Sequence, residues 1–315
     1  MAEASAASGR VAGLETALDV LRLGRVHFLG AGFALFTAGA LVATASGATF
    51  SAGRFLAGYL VLATGHLSIS YSNDYFDYEA DLGAKTGSFS GGSGVLRRRP
   101  ELRGFARAFA LALIGASLLL GVAFAFAYQM PPYYMGLVLF GNLLGWFYTA
   151  PPLRLAYRGL GEAATVAGIG FLVPAAGCLA LAGTLPPLFF AFTVPLLIYA
   201  GFFILGVEAP DAGPDRAAGK MTLVARLGRP FAYAASAVLA LAATLAYLAL
   251  AGALAPIGVW PLVVFSLVPV AAALYGLLRP PSSPEALDRQ AGLSIGSLIV
   301  VVSLTDLYLA YLQVS

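Results

Sequence analysis

Charge is what this sequence has least of. Of its 315 residues only 10% are Asp, Glu, Lys or Arg, against 60% hydrophobic residues and a mean hydropathy of +0.85. That balance excludes a soluble globular domain of this length and implies a polytopic membrane protein. Cysteine is almost absent. Cys178 stands alone inside an apolar run, so no internal disulfide can form and the residue reads as a small buried side chain. The first nine residues are small and polar, with no charged region leading directly into an apolar run. No cleaved signal peptide is therefore expected, and residues 1–10 are expected to be disordered. No short internal repeat is found, and no nucleic acid is expected as a partner.

What is present is a succession of nine apolar stretches, each close to the roughly 20 residues that cross a bilayer. They lie near 25–47, 53–77, 104–129, 133–150, 159–183, 186–207, 229–252, 256–278 and 290–313. The expected fold is all-α, one domain over residues 1–315. Nine transmembrane helices would surround a central cavity open to the cytoplasmic side. With a cytoplasmic N-terminus, one set of loops, their helix ends and the N-terminal segment hold every Lys and Arg except Arg54, as the positive-inside rule demands. A plasma-membrane location follows as an expectation, with membrane lipid as a partner. Ahead of the first stretch, residues 11–24 read as a short amphipathic helix on the membrane surface, with Leu14, Ala17, Leu18 and Leu21 on one face.

The scarce carboxylates are not scattered. Ser70 to Asp81 reads S-Y-S-N-D-Y-F-D-Y-E-A-D at the end of the second apolar stretch. Asn73, Asp77 and Asp81 are spaced i, i+4, i+8 and share one helical face, which His66 and Ser70 extend backwards. On a regular helix through 66–81, with Asp77 at 0°, Asn73 and Asp81 fall about 40° to either side and Asp74 roughly 60° away. Glu79 falls near 200°, about opposite, and reads as a solvated or headgroup contact. A second cluster, Glu208, Asp211 and Asp215, ends the sixth stretch and is followed by Gly219, Lys220 and Thr222. The two could be equivalents from an old duplication, although neither copies the other.

Carboxylates repel phosphates, so two acidic motifs facing one cavity suit an anionic substrate only through metal ions. Mg²⁺ takes oxygen ligands, commonly a few carboxylates plus substrate phosphate. Asn73, Asp74, Asp77, Asp81, Glu208, Asp211 and Asp215 are the candidate ligands, with two ions expected to neutralise a departing diphosphate. Lys220, Arg154 and Arg97 of the Arg97–Arg99 run are candidates for further compensation of charge. The polar loop between the second and third stretches holds Ser90, Gly91 and Gly92, whose backbone N–H groups are placed to meet phosphate oxygens. A flexible loop whose arginines only enforce topology is the competing reading. Tyr148, Arg154 and Arg158 are expected at the cytoplasmic mouth, where an interfacial Tyr and Arg belt is the bland alternative. Aromatic residues make up 12% of the chain and offer π faces to a developing carbocation. Asp306, alone in the last stretch, is expected to point inward and accept hydrogen bonds.

Together these parts resemble the UbiA-type intramembrane prenyltransferases. Asn73, Asp74, Asp77 and Asp81 match that family's N-D-x-x-D-x-x-x-D signature. Asp211, Asp215, Gly219, Lys220 and Thr222 match its second motif, with Glu208 in place of the first aspartate. The resemblance implies Mg²⁺-dependent transfer of a polyprenyl group from its diphosphate to an acceptor, with the acidic motifs holding metal and Asp77, Asp81, Asp211, Asp215 and Tyr148 at the reacting centre. Tyr148 to Arg154 and Tyr157 to Glu162 most resemble the menaquinone branch, which implies a 1,4-dihydroxy-2-naphthoate-like aromatic acceptor. Tyr148 and Arg154 are six residues apart where the family often has four, and Ser-Gly-Gly-Ser-Gly-Val-Leu replaces an Arg-Pro or Gly-Pro segment. Sister acceptors such as a prenylated glycerol phosphate, a chlorophyll precursor or homogentisate therefore stay open. A non-enzymatic transporter is disfavoured because its ionisable groups would sit nearer the midplane.

Overall fold

The computed structural model describes residues 15–83 and 92–314. Residues 15–23 form α1. Then come α2 (Phe28–Ala45), α3 (Ala52–Phe76), the short α4 (Tyr78–Gly83) and α5 (Val95–Arg98), α6 (Arg103–Tyr128) and α7 (Pro132–Phe147). The fifth apolar stretch is one continuous rod made of α8 (Gly161–Ala167), a π-helical turn (Gly168–Leu172) and α9 (Val173–Ala182). The chain continues with α10 (Pro187–Glu208), the short α11 (Ala212–Ala217) and α12 (Leu223–Leu227), α13 (Arg229–Ala249), α14 (Trp260–Leu278) and α15 (Pro284–Tyr311). The described structure is all-helical, and each of the nine apolar stretches contains one long helical segment.

Helix ends follow local chemistry. Proline occupies the first turn of α7, α10, α13, α14 and α15, where its missing N–H costs no hydrogen bond. The Ser51 and Ser283 hydroxyls accept from Arg54 N and Ala286 N and cap α3 and α15. The π turn ends two residues before Pro174, whose ring nitrogen cannot donate to the ladder.

Among the described residues seven helical segments are long and apolar enough to cross a membrane: α2, α6 with its leading 3₁₀ turn, the α8–α9 rod, α10, α13, α14 and α15. The others have identifiable reasons. The last turns of α3 carry Ser70, Ser72, Asn73 and Asp74, and α7 is only 16 residues long. Outer faces present exposed Leu119, Phe126, Val238 and Val264, which suits a hydrocarbon solvent. Inside, α2 and the α8–α9 rod touch backbone to backbone: a Cβ on Gly39 would overlap the Pro174 carbonyl, and one on Gly177 the Phe36 carbonyl. Such close approach through small residues is how helices associate where lipid provides no hydrophobic drive.

Three expectations need correction. The helix through Asp81 is not regular: α3 ends at Phe76, Asp77 sits at φ −86°, ψ 2°, and α4 starts at Tyr78. The break is shallow, since Asp77 N still donates to Asn73 O and Asp81 N to Asp77 O. Asp306 is inward, but its Oδ1 is buried with no hydrogen-bond partner among the described residues. In α1 the face bearing Ala17, Leu18 and Leu21 is exposed. However, Asp19, one of its charged residues, is buried beneath it and binds Arg22, Arg98 and Arg99. Residues 1–14 lie outside the described residues, as do Ser90 and Gly91.

Candidate functional site

The end of α3 and the end of α10 meet. Each closes on an acidic motif and turns into a short helix, α4 or α11. The bridge between them is Lys220, held by the turn at Gly219 (φ +74°) that follows α11. Its Nζ lies 3.3 Å from Asp77 Oδ2 and 3.9 Å from Asp215 Oδ1. Asp77 Oδ1 accepts a 2.8 Å hydrogen bond from the Tyr157 hydroxyl. Arg154, which has a left-handed backbone (φ +44°), stacks its guanidinium 3.8 Å from the centre of the Tyr157 ring. Asp77, Lys220, Tyr157 and Arg154 thus form one chain of contacts.

Asp74 departs from the shared stripe. Its Oδ1 accepts from Arg25 Nη2 at 2.5 Å, and its carboxylate also accepts from the Ser93 backbone N–H and hydroxyl. Gly92 (φ +70°) lies directly on Asp81: an added Cβ would overlap Asp81 Oδ2 and approach Asp74 Oδ1 to 3.5 Å. Gly92 therefore allows its own backbone to approach both carboxylates. Asn73 Oδ1 accepts from the Thr149 hydroxyl at 3.0 Å.

The crowding of carboxylates shows in their proton affinities. Burial, reinforced by Asp77 and Asp74, pushes Asp81 up to about 7. Burial pushes Asp215 up to about 7 as well, against the pull of Lys220 and with help from Asp211. Burial works against charge on Lys220, but Asp77 and Asp215 outweigh it and hold the ammonium above its ordinary value. Burial and then Asp77 raise the Tyr157 phenol to about 12, so it serves as a hydrogen-bond donor.

Below this polar mouth lies an apolar cavity of about 370 Å³, reaching from Arg25, Asn73 and Tyr148 down to Gly58 on α3. Among the described residues no three His, Cys, Asp or Glu side chains already converge as a metal cage. The donor set nevertheless fits a hard divalent cation. Asp77 and Asp215 already share one cation, the Lys220 ammonium. Among the described residues no donor meets either oxygen of buried Glu208, and the Glu162 carboxylate lies close by, an arrangement that is costly unless a cation or a proton is shared there. Asp211 is the N-cap residue of α11, one turn from Asp215.

Other expected residues fall elsewhere. Arg158 donates to the Pro152 carbonyl at 2.9 Å and braces its own loop instead of facing the acidic motifs. Arg97 is exposed, while the adjacent Arg98 and Arg99 turn to Asp19. Thr222 caps α12 through Ala225 N. Glu79 is mostly exposed and reaches Arg103 at 3.5 Å, outside the site as expected. Five participants were not anticipated as site residues: Arg25, Ser93, Thr149, Tyr157 and Glu162. Buried Glu162 accepts from Leu223 N and so ties α8 to the segment after Lys220. Ser93, Thr149, Tyr157 and Glu162 stood inside motifs quoted from the sequence; Arg25 carried no local signal.

An all-helical membrane bundle with two acidic motifs joined over an apolar cavity is the architecture of an enzyme that works on a polar head and a hydrocarbon tail. The chain belongs to the UbiA prenyltransferase family, whose model matches residues 34–294. Compared with curated protein sequences, it finds no match. Among solved structures it is similar to a UbiA homolog from Archaeoglobus fulgidus bound to GPP and Mg²⁺, at 17% identity and a TM-score of 0.61, covering 91% of this chain and 99% of that one. An apo UbiA homolog from Aeropyrum pernix K1 aligns at 18% identity and TM-score 0.60, over 89% and 97% of the two chains. A structure described for digeranylgeranylglyceryl phosphate synthase aligns at 16% identity and TM-score 0.65, over 94% and 99%. The chain is thus a membrane prenyltransferase of that family.

Proposed function

We propose that this enzyme transfers a polyprenyl group from its diphosphate to a ring carbon of a 1,4-dihydroxy-2-naphthoate-like quinone precursor, at the cytoplasmic face of the plasma membrane. The observation that carries the reading is the Lys220 bridge, which unites the two acidic motifs at the mouth of the apolar cavity. Asp74, Asp77, Asp81, Glu208, Asp211 and Asp215, with Asn73 beside them, would hold Mg²⁺, two ions in all. Bound Mg²⁺ supplies neutralisation of the diphosphate, so that the allylic C–O bond can break with its electron pair on the leaving group.

The chain's own residues do the rest. Lys220 and Arg25 bring positive charge to the mouth, where the diphosphate oxygens would lie. Tyr157 donates to Asp77 and fixes the orientation of that carboxylate. Tyr148 presents its ring at the top of the cavity, against the allylic cation. The cavity encloses the tail and excludes water, which would otherwise capture that cation. A ring carbon of the acceptor supplies the electron pair for the new C–C bond. It then releases its own substituent, a proton or a carboxylate as carbon dioxide, to restore aromaticity.

Incubating purified protein with prenyl diphosphates of several lengths and a panel of acceptors, then identifying products by mass, tests the reading. A prenylated naphthoate product is expected. A product from glycerol phosphate lipids, homogentisate or a chlorophyll precursor alone would replace the acceptor while leaving the class intact. Orientation is tested by single cysteines at positions 90 and 215, which should label from the same, cytoplasmic, side.

A further inference from the structure

The cavity wall is largely apolar, with Ser70, Tyr134 and Thr165 as scattered polar residues below the mouth, and at one level three helices each bring a polar side chain. There α3 contributes His66, α6 contributes Ser117 and α7 contributes Asn142. Asn142 is only 7% exposed, and its amide is fixed. Nδ2 donates to the Val138 carbonyl at 2.9 Å and to Ser117 Oγ at 3.1 Å, while Ser117 donates to the Val61 carbonyl. A carbonyl can only accept, so Nδ2 must face Val138 and the opposite atom is the oxygen. That Oδ1 is buried with no hydrogen-bond partner among the described residues, and so is His66 Nδ1. Two orphaned polar atoms in one apolar cavity are costly unless a ligand meets them.

A prenyl tail has no group to offer them. We infer that Asn142 Oδ1 forms a second recognition point, which takes a hydroxyl on the acceptor ring, with His66, whose Nδ1 lies against Gly32 on α2, completing the same stretch of wall. This rests on the proposed aromatic acceptor. The spacing agrees with it: His66 lies seven residues before Asn73 and Asn142 six before Tyr148, about 10 Å below the mouth on both helices. A near-attack contact takes about 3 Å of that interval and a hydrogen bond about 2.8 Å, leaving about 4 Å. The carboxyl-bearing ring carbon of a 1,4-dihydroxy-2-naphthoate and the hydroxyl oxygen meta to it span such a gap. Because Asn142 Oδ1 accepts, the group it recognises must donate, and a hydroxyl does.

The test uses 1,4-dihydroxy-2-naphthoate and 1-hydroxy-2-naphthoate, which lacks the second hydroxyl, with the full-length enzyme in detergent. On wild type the monohydroxy analogue should have a KM about 10-fold higher. Asn142→Leu should raise the KM of the dihydroxy acceptor by a similar factor and remove the difference between the two acceptors. His66→Leu should move it in the same direction. The KM of the prenyl diphosphate, and binding of its unreactive thiolodiphosphate analogue, should stay unchanged. Equal KM values for the two acceptors on wild type would overturn the inference without any variant having to fold. So would an acceptor KM untouched by Asn142→Leu, or a shift in the donor KM, which would assign the belt to the tail. If wild type prenylates neither naphthoate but does prenylate another acceptor, the proposed acceptor fails separately. The same variants are then read against the acceptor that reacts, and an unmoved KM there sinks the belt.

Discussion

Asp77→Asn replaces the carboxylate that touches both Lys220 and Tyr157, and its two consequences separate cleanly. From sequence alone the change is expected to ease folding slightly, because an acidic cluster without metal repels itself. The structure reverses that sign. Asp77 is the nearer of two carboxylates on a partly buried ammonium, at 3.3 Å, and the other, Asp215, is at 3.9 Å. A hydrogen bond to a charged group contributes about 1.5–3 kcal/mol, and relief of repulsion with Asp81 returns part of it, so a net loss of about 1–2 kcal/mol is expected without metal. The carboxamide still accepts from Tyr157, so the fold should survive. With Mg²⁺ present, wild type should gain about 2.7 kcal/mol at a concentration 100 times Kd, and the variant should gain much less. Turnover should drop by about 10²–10³, the scale seen when one preorganised electrostatic contact is removed. Thermal unfolding with and without Mg²⁺, paired with radiolabelled prenyl transfer, reads all three. Near wild-type turnover, or full Mg²⁺ protection in the variant, would refute the placement of Asp77 in the metal site.

Glu79→Gln should keep most activity, since Glu79 is exposed and reaches only Arg103, whereas Asn73→Ala and Asp81→Ala should lose it severely; a Glu79→Gln defect as deep as theirs would put the cavity on another face. Gly92→Ala should cut activity and Mg²⁺ affinity at least 10-fold, because a Cβ at φ +70° would overlap Asp81; isothermal titration of Mg²⁺ checks it. Asp81 and Asp215 sit near 7 in the folded protein against 3.8 for a free carboxyl. Between about pH 4 and 7 the folded state therefore holds protons that the unfolded state has released, and metal-free stability should fall as pH rises through that window. Mg²⁺ must displace those protons, so its affinity should rise over the same range with measurable proton release.

Much of the molecule was legible in the sequence, for reasons that residues make plain. The apolar stretches mark the long helices to within a few residues because bilayer thickness sets their length. The i, i+4, i+8 stripe survives the break at Asp77, because the Asn73–Asp77 and Asp77–Asp81 backbone bonds stay helical on either side of it. What escaped was contact across long separations. Arg25 reaches Asp74 over 49 residues and Tyr157 reaches Asp77 over 80. No local period encodes either pair. The arginine run shows the same thing: a buried Asp19 on α1 claims Arg98 and Arg99 across about 80 residues, and leaves Arg97 as the member of the run that Asp19 does not hold. Arg158 likewise serves a carbonyl six residues away.

The central claim is that both acidic motifs serve one metal site. Electron paramagnetic resonance of Mn²⁺ in the purified protein, with an unreactive prenyl thiolodiphosphate bound, addresses it directly. Two magnetically coupled ions per chain are predicted, with the coupling lost in Asp77→Asn and in Asp211→Asn alike. Isolated Mn²⁺ signals, or a spectrum that either substitution leaves unchanged, would contradict the claim.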